Sequence, residues 1–307
     1  MTDKPKKKRK KRYVPHEAAA KFKPTEDWTS EKAKKLFSGT KHSLEVDTIQ
    51  YEDCIEGMKS LPSGVVDTII ADPPFGIDFT GKEALYNRDG TLVAEGYQEI
   101  TGDYQSFTDS WIAELPRLLK QEGSAWIFSG WTNLLAVLSA IEKSSLHLVN
   151  HIIWKYQFGV FTKRKFVSSH YHLLLLVKDK KNYYFNKIEH YPLDVWEINR
   201  TYMKGERKNG TKLPTDLVMR CIDFSTRPGG LVFDPFMGNA TTAVASKGAF
   251  RHFLGFEINQ SMQEIIDYNL SLVDVGELYI PYSDRKDELV EKARKKFGAK
   301  KPKSSKP

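Results

Sequence analysis

Short apolar runs alternate with amphipathic stretches along most of the chain. The apolar runs have the length of strands, and the amphipathic stretches have the spacing of helices that cover a sheet. This alternation predicts an α/β sheet with crossover helices. Seven strands are expected, at residues 46–50, 65–71, 123–129, 147–154, 171–178, 231–234 and 252–256. Helices are expected at about residues 106–120, 131–144, 214–226, 239–249 and 260–273.

Two internal segments have neither pattern. Residues 76–103 are rich in Gly, Asp and Thr, and residues 179–212 are polar with scattered aromatic residues. Long irregular segments inside a compact domain usually carry function, so both are candidates for recognising a partner. For the chain as a whole, we expect one folded domain over residues 31–280, with tails at residues 1–30 and 281–307.

The net charge of +8 is concentrated at the two ends of the chain. Residues 1–12 carry a net charge of +7 and residues 292–307 one of +8, so the part between them is acidic. Blocks of like charge bury too little apolar area to fold and usually stay solvated. These ends are therefore expected to be either solubilising tails or arms that bind phosphates without sequence preference.

The apolar runs also limit the location of the protein. None reaches the eighteen residues of a membrane span, and the N-terminus is charged rather than signal-like. Two cysteines, Cys54 and Cys221, cannot form a disulfide framework. We expect a soluble protein with no membrane partner, in the cytoplasm or associated with the nucleoid, or in the nucleus of a eukaryote.

The strand at residues 65–71 runs directly into Asp72, Pro73, Pro74 and Phe75. Ligands of open α/β sheets bind beyond the carboxyl ends of the strands. Proline fixes φ and has no N–H, so the Pro73 carbonyl is expected to lack a ladder partner. An acid, a free carbonyl and an aromatic ring suit a flat heterocycle with an exocyclic amino group. The alternative is a proline turn that ends a strand.

A second group of polar residues lies between Leu231 and Glu257. A strand ends at Asp234, a loop with Gly238 follows, a helix begins near Thr241, and the next strand ends before Glu257. This is the layout of a nucleoside-binding crevice, in which the final acid accepts hydrogen bonds from ribose hydroxyls. The loop lacks the lysine of a phosphate-binding loop and does not match GxGxxG. A nucleoside without phosphates fits it better than a dinucleotide.

These two motifs, DPPF and DPFMGNATT, resemble the catalytic tetrapeptide and the cofactor loop of amino-group DNA methyltransferases that use S-adenosylmethionine. The stretches around Asp53 (IQYEDC), IIWKYQFG, SSHYHLLLLVKD, LDVWEI and TKLPTDLVMRCIDFSTRPGG extend the resemblance over about residues 46–270. The catalytic motif precedes the cofactor loop, as in the β class. That class implies a Rossmann-like, circularly permuted, seven-stranded sheet in which the strands of Asp72 and Asp234 are neighbours.

The resemblance implies methyl transfer to the exocyclic N6 of adenine in double-stranded DNA, through base flipping. An aspartate-first tetrapeptide favours adenine; cytosine N4, a noncatalytic nucleic-acid-binding subunit and an RNA substrate remain alternatives. Cytosine C5 chemistry needs a thiolate nucleophile in a Pro-Cys pair, which neither cysteine provides. A homodimer and a cognate restriction endonuclease are the candidate protein partners, as in restriction-modification.

The resemblance also assigns residues. The catalytic set is Asp72, Pro73, Pro74 and Phe75. The set that binds S-adenosylmethionine is Asp53, Cys54, Asp72, Thr211, Asp234, Pro235, Phe236, Gly238, Asn239, Ala240, Thr241 and Glu257. Two positions depart from the family pattern: Ala240 replaces the second glycine of the loop, and Leu213 stands where a lysine is expected.

Basic residues in the irregular segments are the candidates for DNA contact, since Lys and Arg bind phosphates and guanine edges. The candidates are Lys82, Arg88, Lys163, Arg164, Lys165, His170, Arg200 and Arg207. His170 and His172 are expected on one face of a strand, without the further ligands that a metal ion would need. No metal site is predicted.

Overall fold

A computed structural model describes residues 15–74, 103–157, 159, 162–200 and 212–297. Within these ranges, one eight-stranded sheet forms the centre of the protein. Its strands are β1 (Thr48–Gln50), β2 (Val66–Ala71), β3 (Leu119–Ser129), β4 (His147–Lys155), β5 (His170–Val177), β6 (Val195–Glu197), β7 (Leu231–Asp234) and β8 (His252–Phe256).

The sheet order is β1-β8-β7-β2-β3-β5-β4-β6. β5 is antiparallel to its two neighbours, and all other neighbours are parallel. All strands except β5 therefore end at the same edge of the sheet. β2 and β7 are adjacent although they are distant in sequence, which confirms the Rossmann-like permuted fold.

All seven predicted strands are present, but the predicted number is one too low. The missed strand, β6, has three residues and pairs with β4 inside the segment 179–212. Other parts of that segment also pack on the domain, since Tyr184 N donates to Glu122 O and Asn186 N donates to Phe224 O. Residues 179–200 are thus largely part of the scaffold.

The helices include all five that the spacing predicts. They are α1 (Pro15–Lys21), α2 (Ser30–Gly39), α3 (Cys54–Ser60), α4 (Tyr104–Leu118), α5 (Leu134–Lys143), α6 (Thr215–Ser225), α7 (Thr241–Gly248), α8 (Gln263–Ser271) and α9 (Tyr282–Phe297), with a short 3-10 helix at Gln260–Met262. Aspartates begin two of them: Asp53 caps α3 and Asp103 caps α4. In the described ranges, no helix combines the length and the apolar character needed to cross a bilayer.

Apolar side chains cover both faces of the central strands. Ile69 packs with Trp111 of α4 on one face, whereas Ile70 packs with Ile222 of α6 on the other. Successive residues of a strand face opposite sides, so a strand buried on both faces needs an unbroken apolar run. This explains the run at the end of β2, which leads directly to Asp72.

At the opposite edge of the sheet, one carboxylate connects three strands and helps to fix their register. Asp67 of β2 accepts hydrogen bonds from Leu231 N of β7, at 2.8 Å, and from Lys120 Nζ of β3, at 2.7 Å. These contacts stabilise the register of β2 against β7. The residues that follow the two strands are thereby held at a defined distance from each other.

The expected tails differ from the structure in part. Arg285 of α9 donates to Asp223 at 2.8 Å, and Tyr282 Oη donates to Phe22 O at 3.0 Å. The described residues 15–30 and 281–297 are therefore docked on the domain rather than extended as solvated tails. Charge along the chain does not reveal this packing, in which α9 presents half-buried residues to α1. Residues 1–14 and 298–307 lie outside the described residues.

Candidate active site

Two aspartates meet at the carboxyl edge of the sheet. β2 and β7 are parallel neighbours, with Ile69 opposite Phe233. Asp72 follows the end of β2, and Asp234 is the last residue of β7. The charge of Asp234 helps to raise the pKa of the Asp72 carboxyl, so the two groups lie within electrostatic reach. The expected meeting of these two strand ends is confirmed.

Burial determines the state of Asp72. It raises the pKa of the carboxyl to about 7, with Asp234 acting in the same direction and Arg200 in the opposite one. Oδ1 is buried and has no hydrogen-bond partner among the described residues. A buried oxygen without a donor costs free energy in the folded protein, and a ligand that donates a hydrogen bond removes that cost. Asp72 therefore offers a free acceptor inside the site.

The two prolines follow Asp72 as a short projection. Pro73 is buried and Pro74 is half-buried. Neither has a backbone N–H, so neither can donate a hydrogen bond to a neighbouring strand. Phe75, the predicted stacking residue, lies outside the described residues.

Asp234 organises the loop between β7 and α7. Only 4% of the residue is exposed. Oδ1 accepts a hydrogen bond from Phe236 N at 2.8 Å, and Oδ2 accepts one from Thr242 Oγ1 at 2.6 Å. Burial raises the pKa of Asp234 to about 7, while these two hydrogen bonds lower it. Its hydrogen-bond donors in the described part of the chain are neutral, so a cationic ligand would stabilise the carboxylate further.

The turn of this loop needs left-handed backbone at two positions. Gly238 has φ of +52° and Ala240 has φ of +59°. An alanine Cβ in that region carries roughly 1 kcal/mol of strain. The residue is nevertheless fully buried and belongs to an apolar cluster with Met237 and Phe253. The extra methyl group that departs from the family pattern is thus accommodated by packing.

Glu257 closes the loop from the end of β8. Oε2 accepts a hydrogen bond from Gly238 N at 2.7 Å, and Oε1 accepts one from Asn259 N at 2.8 Å. Burial raises the pKa of Glu257, and both hydrogen bonds lower it. A carboxylate offers about four lone-pair positions, so each oxygen keeps capacity for another donor, such as a hydroxyl.

Asp53 and Cys54 stand at the start of α3, which follows β1. Asp53 Oδ1 accepts from Ile55 N at 2.9 Å and from Glu56 N at 3.1 Å, which gives it a structural role as a helix cap. Burial raises the pKa of the Cys54 thiol to about 12, and the charges of Asp53 and Asp234 add to this shift. Cys54 is therefore within reach of Asp234, and its protonated thiol is a poor nucleophile.

Phe236 anchors the loop to the core. Its ring lies edge-to-face on Trp111 of α4, with 5.3 Å between ring centres. Asn239 O accepts a hydrogen bond from Asn269 Nδ2 of α8 at 3.0 Å. Pro235 and the buried Thr241 complete the connection between β7 and α7. The predicted cofactor residues from 234 to 241 thus lie together in the connection from β7 to α7.

The predicted DNA-contacting residues divide into three groups. Lys163, Arg164 and Lys165 are exposed between β4 and β5, and His170 is exposed at the start of β5. Arg200 is instead half-buried, and its charge acts on Asp72. Three of the predicted DNA-contacting residues, Lys82, Arg88 and Arg207, lie outside the described residues, as do the predicted cofactor residue Thr211 and the predicted stacking residue Phe75. The described chain contains no group of three or more His, Cys, Asp or Glu side chains suited to a metal ion.

Three residues of the site were not predicted. Thr242, which donates to Asp234, is the second threonine of the motif DPFMGNATT, so the sequence contained a signal for it. Tyr156 and Tyr171 lie against Arg200. They come together through the pairing of β4 with β5, which no local pattern reveals.

Comparison with known proteins identifies the family of this chain. The family model N6_N4_Mtase, described as DNA methylase, matches residues 66–267. The DNA adenine methyltransferase YhdJ of Escherichia coli (strain K12) is 30% identical over 289 residues, which cover 84% of this chain and 92% of YhdJ. The chain therefore belongs to the N6/N4 DNA methylase family, and the predicted enzyme class, a DNA methyltransferase, is confirmed.

Solved structures support the same fold. The M1.HpyAVI–SAM complex matches with a TM-score of 0.55 and 22% identity, over 73% of this chain and 98% of that one. The cytosine-N4-specific PvuII DNA methyltransferase matches with a TM-score of 0.57 and 14% identity, over 82% and 96%. At these identities the structures show a shared architecture.

The raised pKa of Asp72 makes a prediction about stability. The folded carboxyl binds its proton more tightly than the unfolded chain does, so ionisation destabilises the fold as the pH rises from about 4 to about 7. Asp72→Asn removes this cost, and should raise the free energy of unfolding at pH 8 by on the order of 1–2 kcal/mol. Denaturant unfolding at pH 4 and pH 8 measures the effect, which should vanish at the lower pH.

Asp109→Asn is the matched control. Asp109 is partly exposed, and its pKa is lowered chiefly by a hydrogen bond from Lys143. Its ionised form is therefore the stabilising one, and the variant should be less stable at pH 8 than the wild type. Equal effects of the two substitutions would contradict the burial of Asp72.

Proposed function

We propose that this protein transfers a methyl group from S-adenosylmethionine to the exocyclic N6 of adenine in duplex DNA. One observation carries the proposal: the buried, unpartnered Oδ1 of Asp72 lies within electrostatic reach of Asp234. An acceptor for an amine and a buried acid that favours a cation are thereby adjacent. The 30% identity to YhdJ, a protein named as a DNA adenine methyltransferase, supports adenine as the base.

The residues around the loop fit S-adenosylmethionine. Asp234 is a buried carboxyl that the described residues supply only with neutral hydrogen-bond donors, so it suits an ammonium group. Glu257 keeps lone pairs for ribose hydroxyls, and the glycine at 238 lets the backbone come close to a ligand. Asp53 and Cys54 are assigned to the adenine side, and Thr211 to the carboxylate. When bound, S-adenosylmethionine supplies a methyl group already activated on a sulfonium.

Asp72 prepares the amine for transfer. The lone pair of an aromatic amine is delocalised into the ring, which makes the nitrogen a poor nucleophile. Hydrogen bonds from the amine to the Asp72 carboxylate and to the Pro73 carbonyl favour the pyramidal form, whose lone pair is localised. The carboxylate also stabilises the positive charge that develops on the nitrogen, and can accept a proton late in the reaction. No covalent intermediate with the protein is required.

The target base has to leave the duplex to reach Asp72. Its amine lies inside the base stack, so the nucleotide is flipped into the cleft, where Phe75 is assigned to stack on it. Lys163, Arg164 and Lys165 lie exposed on the hairpin that rises from the same edge of the sheet. Phe166 beside them is 99% exposed. Cations next to an exposed ring are typical of nucleic-acid-binding surfaces, so we assign this hairpin to DNA.

Cytosine N4 is the second candidate target. Its exocyclic amine presents the same donor to Asp72, and the cytosine-N4-specific PvuII enzyme has a related fold. A noncatalytic role is disfavoured because the DPPF motif is intact and Asp72 Oδ1 has no hydrogen-bond partner among the described residues. Homodimerisation and a cognate restriction endonuclease stay predictions.

The deciding experiment incubates the full chain with duplex DNA and S-adenosylmethionine labelled in the methyl group, and then digests the DNA to nucleosides. The label is expected in N6-methyl-2′-deoxyadenosine. Asp72→Ala should lower the transfer rate by roughly a hundredfold to a thousandfold, the size expected when one electrostatic stabiliser is removed. Calorimetry should show nearly unchanged binding of the cofactor.

Two results would overturn the proposal. Label in N4-methylcytosine would replace adenine by cytosine, and normal turnover by the Asp72→Ala variant would refute the mechanism. Asp109→Ala is the control, because this partly exposed acid on α4 hydrogen-bonds with Lys143 and Gln105. It should transfer methyl groups at the wild-type rate.

Neutralising the hairpin tests the assignment to DNA. Replacing Lys163, Arg164 and Lys165 together by Ala should weaken DNA binding and reduce the slope of log K against log salt by about 2–3, since each phosphate contact contributes about 0.9. Fluorescence anisotropy over a salt series measures this slope. Lys180 and Lys181, exposed at the opposite edge of the sheet, give the matched control. An equal loss in that double variant would show that general charge, and not the hairpin, binds DNA.

A further inference from the structure

Arg200 lies against a cluster of aromatic rings. Its guanidinium carbon is 4.2 Å from the ring centre of Tyr156, 5.1 Å from that of Tyr171 and 5.2 Å from that of Trp154. A planar guanidinium is attracted to the faces of such rings, and more strongly where water is partly excluded. The cation is thus held in place, whereas an exposed arginine would move freely to reach a phosphate.

The backbone of Arg200 is also tied to the end of β4. Arg200 N donates to Gln157 Oε1 at 2.8 Å, and Gln157 Nε2 donates to Arg200 O at 2.9 Å. Two residues earlier, Ile198 O accepts a hydrogen bond from Trp154 Nε1 at 2.8 Å. A side chain is placed accurately when both its backbone and its contact partners are fixed. Arg200 is therefore organised before any ligand binds.

The fixed cation acts on Asp72 through its charge. Arg200 lowers the pKa of the Asp72 carboxyl by electrostatic attraction, against burial and the charge of Asp234. Asp72 Oδ1 and Arg200 Nε are both buried without hydrogen-bond partners among the described residues. A closed ion pair between the two groups would occupy the oxygen that an amine has to reach. The observed arrangement stabilises the carboxylate and leaves Oδ1 free.

We propose that Arg200 is a positioning residue, which keeps Asp72 in the ionised form that accepts the target amine. The inference rests on the proposed function. The titratable groups that act on Asp72 in the described chain are Asp234, Arg200 and Tyr171. Asp234 favours the protonated acid, and Arg200 opposes it. Burial raises the pKa of Tyr171 to about 12, so its phenol stays neutral.

The pH dependence of methyl transfer tests this role. Activity that needs the ionised acid rises with pH, and loss of the cation raises the pKa of Asp72. In a plot of the single-turnover rate against pH, Arg200→Met should therefore shift the acid limb to higher pH by roughly one unit. The rate should fall about tenfold at pH 6 and approach the wild-type rate at pH 9. Arg200→Lys, which restores the charge, should return the limb toward the wild-type position.

Two further variants separate this effect from general damage. Gln157→Ala loosens the backbone of Arg200 while keeping its charge; because Gln157 is exposed, the variant should fold, with a smaller shift in the same direction. Arg220 is the matched control, since its guanidinium also lies on two rings, 4.7 Å from Trp196 and 5.1 Å from Phe224, but pairs with Glu189. Arg220→Met should leave the acid limb unchanged.

The outcomes distinguish this inference from the proposed function. If the wild-type chain transfers no methyl group, the proposed function fails, while an NMR titration of Asp72 in wild type and Arg200→Met still tests the cation directly. If the wild type is active and the acid limb stays in place while DNA affinity and its salt slope fall, Arg200 contacts phosphate and the inference is wrong. Loss of rate at every pH, with cofactor binding intact, would also overturn it.

Discussion

The structure depends on keeping two carboxyls close together where water is largely excluded. Like charges at short range in a poorly solvated site repel each other, so at least one of the acids tends to keep its proton. Asp72 and Asp234 both have pKa values raised to about 7, mainly by burial. Burial of the two carboxyls thus makes the free energy of folding less favourable, which is common at active sites. A cationic ligand beside Asp234 and an amine beside Asp72 relieve that cost.

The sheet and the loops at its edge hold these two mutually repelling carboxyls in place. Parallel pairing of β2 with β7 brings the two acids together, and Asp67 fixes the register from the other edge through Leu231 and Lys120. On the ligand side, Thr242 and Glu257 fix the loop that follows Asp234. Rigid elements position a reacting group better than loops do. The chemistry therefore depends on the sheet.

Much of the fold and part of the site could be predicted from the sequence. Long periodic segments gave all seven predicted strands and five helices, because a buried strand or an amphipathic helix leaves a pattern along the chain. The motifs DPPF and DPFMGNATT located Asp72 and Asp234. β6 escaped prediction because its three residues lie in the polar segment 179–212, which has no apolar run of strand length. The docking of α9 escaped because its contact with Asp223 joins residues far apart in sequence.

Arg200 shows the same limit at the level of a single residue. Its charge was visible and suggested DNA, but its environment depends on Tyr156 and Tyr171, which the pairing of β4 and β5 brings beside Asp72. Ala240 is the converse case: the sequence flagged a missing glycine, and the structure shows a left-handed alanine packed in an apolar cluster. Motifs identify the reacting groups, whereas tertiary contacts decide their charge states.

Asp72 and Asp234 lie within electrostatic reach of each other, and the charge of Asp234 helps to raise the pKa of Asp72. The most direct measurement is an NMR titration of labelled carboxyl carbons in the wild type and in Asp234→Asn. The expected result is that Asp72 titrates near neutral pH in the wild type, and at a lower pH once the neighbouring charge is removed. An Asp72 that titrates at the ordinary pH of an exposed aspartate, or that does not respond to Asp234→Asn, would contradict it.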